Sequence, residues 1–181
     1  MATAAQSASK KTATPKNAAP GKTPASNGPD AVALLKADHR AVAKLFGQFE
    51  KAKDGERKKA LADKICLELR VHMQIEEEIF YPVSREFLKN DDIVDEAVVE
   101  HAAARDLMDE IQAMQPGEDL YDAKMTVLEE QIEHHVEEEE EDYFPKVKKT
   151  KMDLKAVGTR MAARKEQLMA KMDTSQGKAL Q

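Results

Sequence analysis

The chain lacks most of what builds sheets and small stapled folds. It has one cysteine, Cys66, which excludes an internal disulfide and suits a reducing compartment. Cys66 lies in an apolar helical stretch, where a buried, inert thiol is expected. There is no tryptophan, and aromatic residues make up only 4% of the chain. Glycine and proline are scarce between residues 30 and 150, so few breakers interrupt the central region and helices are favoured over strands. No apolar run reaches the ~20 residues that a membrane span needs, and the N-terminus has no apolar core of the signal-peptide kind. The expectation is a cytoplasmic protein without a membrane partner. Also missing are a Gly-rich phosphate loop, a Cys-x-x-Cys pair and any Ser–His–Asp set. Chemistry in this chain must therefore come from something other than a nucleophile or a phosphate cradle.

Charge is abundant, at 34% of 181 residues, and unevenly placed. The net charge is −6, yet residues 1–29 carry +4 and residues 146–181 carry +7, which leaves −17 for the middle. A middle this acidic argues against a specific nucleic-acid partner. Residues 1–29 are Ala, Lys, Thr, Ser, Pro and Gly with little to bury, and read as a disordered basic tail.

From Pro29-Asp30 onward the apolar residues recur at spacings of three and four, the mark of helices. The first stripe is Val32, Leu35, His39, Val42, Phe46 and Phe49, with a stop expected at Asp54-Gly55. The second is Leu61, Ile65, Leu69, His72, Glu76, Phe80 and Val83. It passes Pro82, where a kink is expected, and ends near Asn90. The third is Val94, Val98, His101, Ala104, Met108 and Ile111, starting near Asp91-Asp92 and ended by Pro116-Gly117. The fourth runs from Glu118 to about Lys149 with Met125, Leu128, Ile132, His135, Glu139 and Tyr143, and Pro145 repeats the kink. An amphipathic fifth helix is expected over about 151–172, and residues 173–181 as a flexible tail. Four long helices with short connections predict an all-α, up-down-up-down bundle over residues 30–150 with an additional C-terminal helix.

One short pattern occurs twice. His-Met-Gln-Ile-Glu-Glu-Glu-Ile-Phe-Tyr-Pro spans 72–82, and His-Val-Glu-Glu-Glu-Glu-Glu-Asp-Tyr-Phe-Pro spans 135–145. In each copy a Glu follows the His by four residues, so both stand on one helix face. A further His precedes each copy, His39 by 33 residues and His101 by 34. All four histidines fall on the apolar stripes, and so do Glu76 and Glu139. A carboxylate in a bundle core is costly unless paired or bound to metal. One such His–Glu pair could be a hydrogen-bonded core device. Two copies at matching depth, each joined by another core His, point to metal.

His134 offers a competing register with Glu138. His135 matches His72 in its ten-residue distance to the closing proline, and Leu128 and Ile132 lie on its face. His134 is flanked by Glu130, Glu137, Glu138 and Glu141, so it is expected on a solvated face. The neighbouring glutamates, Glu77 and Glu140 among them, are expected mostly in solvent, with some reaching the site from outside. The candidate metal ligands are His39, His72, Glu76, His101, His135 and Glu139. Six ligands exceed what one structural zinc takes and suit two metals sharing two carboxylates. The two-fold pattern pairs His39 with His72 and His101 with His135, with Glu76 and Glu139 between. Imidazole with carboxylate and open positions favours iron. A ferritin-like store would need Glu-x-x-His, and no acid stands three residues before any His.

With its lone His39 and His101 alternating with His72-x-x-x-Glu76 and His135-x-x-x-Glu139, residues 30–150 resemble the hemerythrin-like, or HHE cation-binding, family. The resemblance implies two iron ions in a non-haem centre bridged by the two carboxylates and an oxo or hydroxo group. Oxygen carriers of that family have a fifth histidine one turn before the third-helix His; here that position is Ala97. The chain is similar instead to four-histidine members. These imply binding, sensing or reduction of a small oxidant (O2, NO or peroxide), or an iron- or oxygen-responsive regulatory module without turnover. Tyr81 and Tyr143, which close the two motifs, are expected to pack, with the second shell of the site within reach.

Overall fold

The computed structural model describes residues 28–88 and 92–179, with side-chain surroundings up to residue 171. The basic tail expected over residues 1–29 lies, up to residue 27, outside the described residues. The helices are α1 (Ala31–Lys51), α2 (Gly55–Ile75), α3 (Tyr81–Arg85), α4 (Asp92–Ala113), α5 (Tyr121–Glu138), α6 (Phe144–Lys148) and α7 (Leu154–Ala179). Two π-helical segments, Glu76–Phe80 and Glu139–Tyr143, join α2 to α3 and α5 to α6, so the bundle has four continuous rods.

Asp30 caps α1, its Oδ1 accepting the Ala33 N–H at 2.8 Å. The pair Asp54-Gly55, expected to stop the first helix, instead starts the second. Asp54 Oδ1 accepts the Arg57 N–H at 2.8 Å. Asp is among the strongest N-caps, and that preference outweighs its turn signal. Where kinks are expected, at Pro82 and Pro145, a π turn lies just before each proline. A proline offers no N–H to the carbonyl four residues back. Here the ladder widens, and the Tyr81 and Phe144 N–H groups reach five residues back to the carbonyls of Glu76 and Glu139.

Three boundaries differ from the sequence reading. The second rod closes at Arg85, before Asn90, in a tight turn where Phe87 and Leu88 both donate to the Ser84 carbonyl. The fourth begins at Tyr121 because Gly117 and Leu120 hold left-handed backbone, with φ of 94° and 71°. The helical backbone of α7 continues to Ala179, past 172, and no proline lies beyond Pro145 to stop it. On α4 the inward residue is Ala97, while Val98 is 39% exposed. Both fit a three–four spacing, and the bundle turns Ala97 to the core.

The long helices form a closed ring. α1 lies beside α2 and α5, α2 beside α4, and α4 beside α5, while α7 packs across α1 and α2. This is the up-down-up-down bundle with an added C-terminal helix. At Gly158 a Cβ atom would stand 2.3 Å from the Pro29 carbonyl oxygen, so α7 touches the start of α1 backbone to backbone. Arg164 donates to Glu78 at 2.6 Å and 3.0 Å, and Lys165 to Asp38 at 2.6 Å.

The apolar core divides in two. One part gathers Leu35, Ile75, Phe80, Phe144 and Met161, and the other Phe46, Ile65, Met73, Met108 and Met125. Between them lies the layer of buried polar side chains described next. Among the described residues no helix is long and apolar enough to cross a membrane.

Candidate metal centre

His39 comes from α1, His72 from α2, His101 from α4 and His135 from α5. Glu76 and Glu139 are the first residues of the two π segments. All six are buried, and Glu76 is wholly inaccessible. His134 points away, its side chain 63% exposed.

The imidazoles form two pairs. His39 Nε2 lies 3.2 Å from His72 Nε2, and His101 Nε2 lies 3.2 Å from His135 Nε2. Each carboxylate reaches one ring of each pair. Glu76 Oε2 is 3.3 Å from His72 Nε2 and 3.5 Å from His101 Nε2. Glu139 Oε2 is 3.3 Å from His39 Nε2 and 3.8 Å from His135 Nε2. The ligand atoms of His39, His72, Glu76 and Glu139 lie within 4.8 Å of one another, as do those of Glu76, His101 and His135.

The outer ring nitrogens face a second circle of carboxylates. Asp38 on α1 faces His72 Nδ1 at 3.6 Å. Glu77 accepts from His101 Nδ1 at 2.9 Å, Glu100 from His135 Nδ1 at 2.7 Å, and Glu140 from His39 Nδ1 at 2.9 Å. Each rod thus offers a carboxylate to the histidine of the next, and the circle closes. Outside it, Lys165 binds Asp38, Arg105 binds Glu77 and Lys36 binds Glu140. Burial would raise the carboxyls of Asp38, Glu77 and Glu140, but these hydrogen bonds and cations hold them below the usual range. The hydrogen bond from His135 does the same for Glu100. Glu77 and Glu140, expected mostly in solvent, are half-buried parts of this circle. Asp38 and Glu100 went unnoticed in the sequence. Their signal was adjacency, since each directly precedes one of the two lone histidines.

The carboxylates bonded to Nδ1 of His39, His101 and His135 orient those rings with Nε2 toward the centre, and Asp38 faces Nδ1 of His72 at 3.6 Å, too long for a hydrogen bond. Burial pushes His72 down to about 4, so its ring is neutral. Burial lowers His101 as well. His135 is raised, because its bond to Glu100 outweighs the cost of burial. Burial opposes ionisation of Glu139, but His39 Nε2 at 3.3 Å and the surrounding imidazoles hold it down at about 2. Burial and the adjacent Glu139 charge drive Glu76 well above the ordinary carboxylate range.

Neither oxygen of Glu76 nor Oε2 of Glu139 has a hydrogen-bond partner. Two buried carboxyls side by side, with three of their four oxygens accepting no hydrogen bond, are costly in a bundle core. Cations between them remove that cost, so the donor set fits metal. Tyr81 Oη donates to Glu139 Oε1 at 3.1 Å, and its ring stacks on His101 at 5.8 Å. Burial keeps the Tyr81 phenol protonated, well above its usual range. Tyr143 bonds Ser84 and not the centre.

Comparison with known proteins points to a cation-binding family. The family model described as Hemerythrin HHE cation binding domain matches residues 30–147. A crystal structure of a hemerythrin HHE cation binding domain-containing protein from Mycobacterium kansasii superimposes with a TM-score of 0.69. It is 28% identical, and the match covers 79% of this chain and 89% of that one. A DNA nickase from Nostoc sp. is 25% identical over 115 residues, 64% of this chain. The match spans 32% of the nickase's own length.

Proposed function

Because this chain belongs to the family of hemerythrin HHE cation-binding domains, we propose that its core holds two iron ions and binds, senses or reduces a small oxidant such as O2, NO or peroxide. His39 and His72 would hold one ion and His101 and His135 the other, with Glu76 and Glu139 within reach of both. The observation that carries this is the crossed reach of the carboxylates. Each touches one ring of each pair, and three of their four oxygens accept no hydrogen bond.

Iron bound there supplies Lewis acidity and exchangeable electrons. The chain's own residues do the rest. Glu77, Glu100 and Glu140 orient three of the imidazoles by accepting from their Nδ1, and Asp38 faces the fourth. Tyr81 holds Glu139 in place by donating its phenol proton to Oε1. The two apolar half-cores above and below keep bulk water out, which strengthens each interaction inside. Ala97, buried on α4, puts only a methyl where the oxygen carriers have their fifth histidine, so reversible oxygen carriage is not assigned. No nucleic-acid partner is assigned either, since the matched segment is a minor part of the nickase and the bundle is acidic.

A second reading, a responsive module without turnover, has one observation in its favour. Asp38 faces His72 Nδ1 and also binds Lys165 of α7. A change at the centre is therefore felt directly by the added helix. The two readings separate on iron-loaded protein given hydrogen peroxide. Sustained peroxide consumption supports reduction. A near-ultraviolet absorption change without consumption, together with new protease sensitivity in α7, supports the responsive module. No spectral change with any of the three oxidants contradicts both.

A further inference from the structure

The four corners of the bundle around the centre are not closed alike. At three of them a long cationic side chain lies over the outer carboxylate: Lys165 at Asp38, Arg105 at Glu77 and Lys36 at Glu140. Their aliphatic stems cover the seam between rods. The fourth corner, between α4 and α5, is built differently. Glu100 faces the exposed ring of His134 at 3.9 Å. Here a cavity of about 140 Å³ opens at the surface. Ala103, Gln131 and His134 form its rim and Met73, Ala104 and Ile132 its floor, which ends on His101 and His135. By contrast, the inner space that reaches His39 and His72 is about 10 Å³, at the lower limit for a single water.

We propose that this α4–α5 cavity is the entrance of the centre, that it admits small uncharged molecules, and that they meet the His101–His135 half. This rests on the two-iron reading above and adds the route and the side of arrival. The volume suits a diatomic molecule or hydrogen peroxide and is too small for an organic substrate of ordinary size. The floor of methyl, thioether and aliphatic groups favours apolar guests. Glu100, which lines the cavity, and Glu138, 3.5 Å from the rim's His134, oppose anions. Alanine at 103 and 104 is what keeps the passage open.

Two substitutions test this. Ala104→Leu fills the floor, and Ala103→Trp covers the rim from an exposed position that the core does not feel. Crystals of the full chain under xenon pressure report the cavity independently of iron, since dry apolar cavities of this size take up xenon. Xenon should occupy the space beside Met73 and Ile132 in the parent and be lost in both variants. On iron-loaded protein, nitric oxide association followed by anaerobic stopped flow should slow about tenfold or more, with iron per chain unchanged. A parent cavity without xenon overturns the proposal. So does an unchanged association rate in a variant whose cavity has lost its xenon. A parent that binds no iron overturns the two-iron reading first, and the entrance falls with it. Iron at the parent level with an unchanged rate removes only the entrance.

Discussion

Glu76 is costly to bury, since burial and the neighbouring Glu139 drive its carboxyl well above the ordinary range. It is wholly buried, lies beside Glu139 and accepts no hydrogen bond. Its position makes sense when a cation sits between the His pairs. Replacing His72 or Glu76 by alanine should cut bound iron to about half or less of the parent level, whereas His134→Ala should leave it unchanged, as read by plasma emission on the folded variants. Glu77→Gln should keep the centre but weaken iron affinity about tenfold to a hundredfold in a chelator competition, because a neutral amide replaces the charged acceptor behind His101. Cys66 makes an independent case. It is fully buried, and burial pushes its thiol up to about 12. It should resist a disulfide reagent at pH 8 in the native protein and react at once in denaturant. Rapid labelling of the folded chain would show that this half-core is open. That the six inner side chains are buried together was legible because helical spacing places a His or Glu on an apolar stripe, where it has to be explained. The outer carboxylates were not. Residues next to each other on a helix point about 100° apart, so Asp38 and Glu100 read as surface acids until the neighbouring rod is in place.

At the scale of the elements, the two prolines mislead in an instructive way. They mark a departure from the α ladder, but the departure lies just before them, in π turns that begin on Glu76 and Glu139 themselves. The wider turn lets consecutive aromatics, Phe80 and Tyr81 or Tyr143 and Phe144, both face inward behind the carboxylate. Periodicity of three and four has no term for an inserted residue, so this was beyond the sequence. The packing of α7 was equally hidden, since a glycine inside a helical pattern reads as a mild defect. Gly158→Ala gains about 1 kcal/mol of helix propensity. It also sets a methyl 2.3 Å from the Pro29 carbonyl oxygen, a clash with backbone that a side-chain shift cannot relieve. The clash should win by about 1–3 kcal/mol and lower the melting temperature by a few degrees. A variant melting at or above the parent temperature would mean that α7 is not seated on the start of α1.

For the whole molecule, the closed ring of four rods was readable because each rod carries one continuous apolar stripe and the connections are short. The fifth rod was readable as an amphipathic helix but not as a lid on α1 and α2. What the complete arrangement adds is symmetry of a functional kind: two imidazole pairs, two shared carboxylates and a cyclic outer circle, set between two apolar half-cores. The most direct test is anomalous diffraction at the iron edge on crystals of protein from iron-replete cells. Two peaks per chain are predicted, one between His39 and His72 and one between His101 and His135, ~3.5–4 Å apart. A single peak, no peak inside the bundle, or iron found only at the exposed His134 would contradict the account.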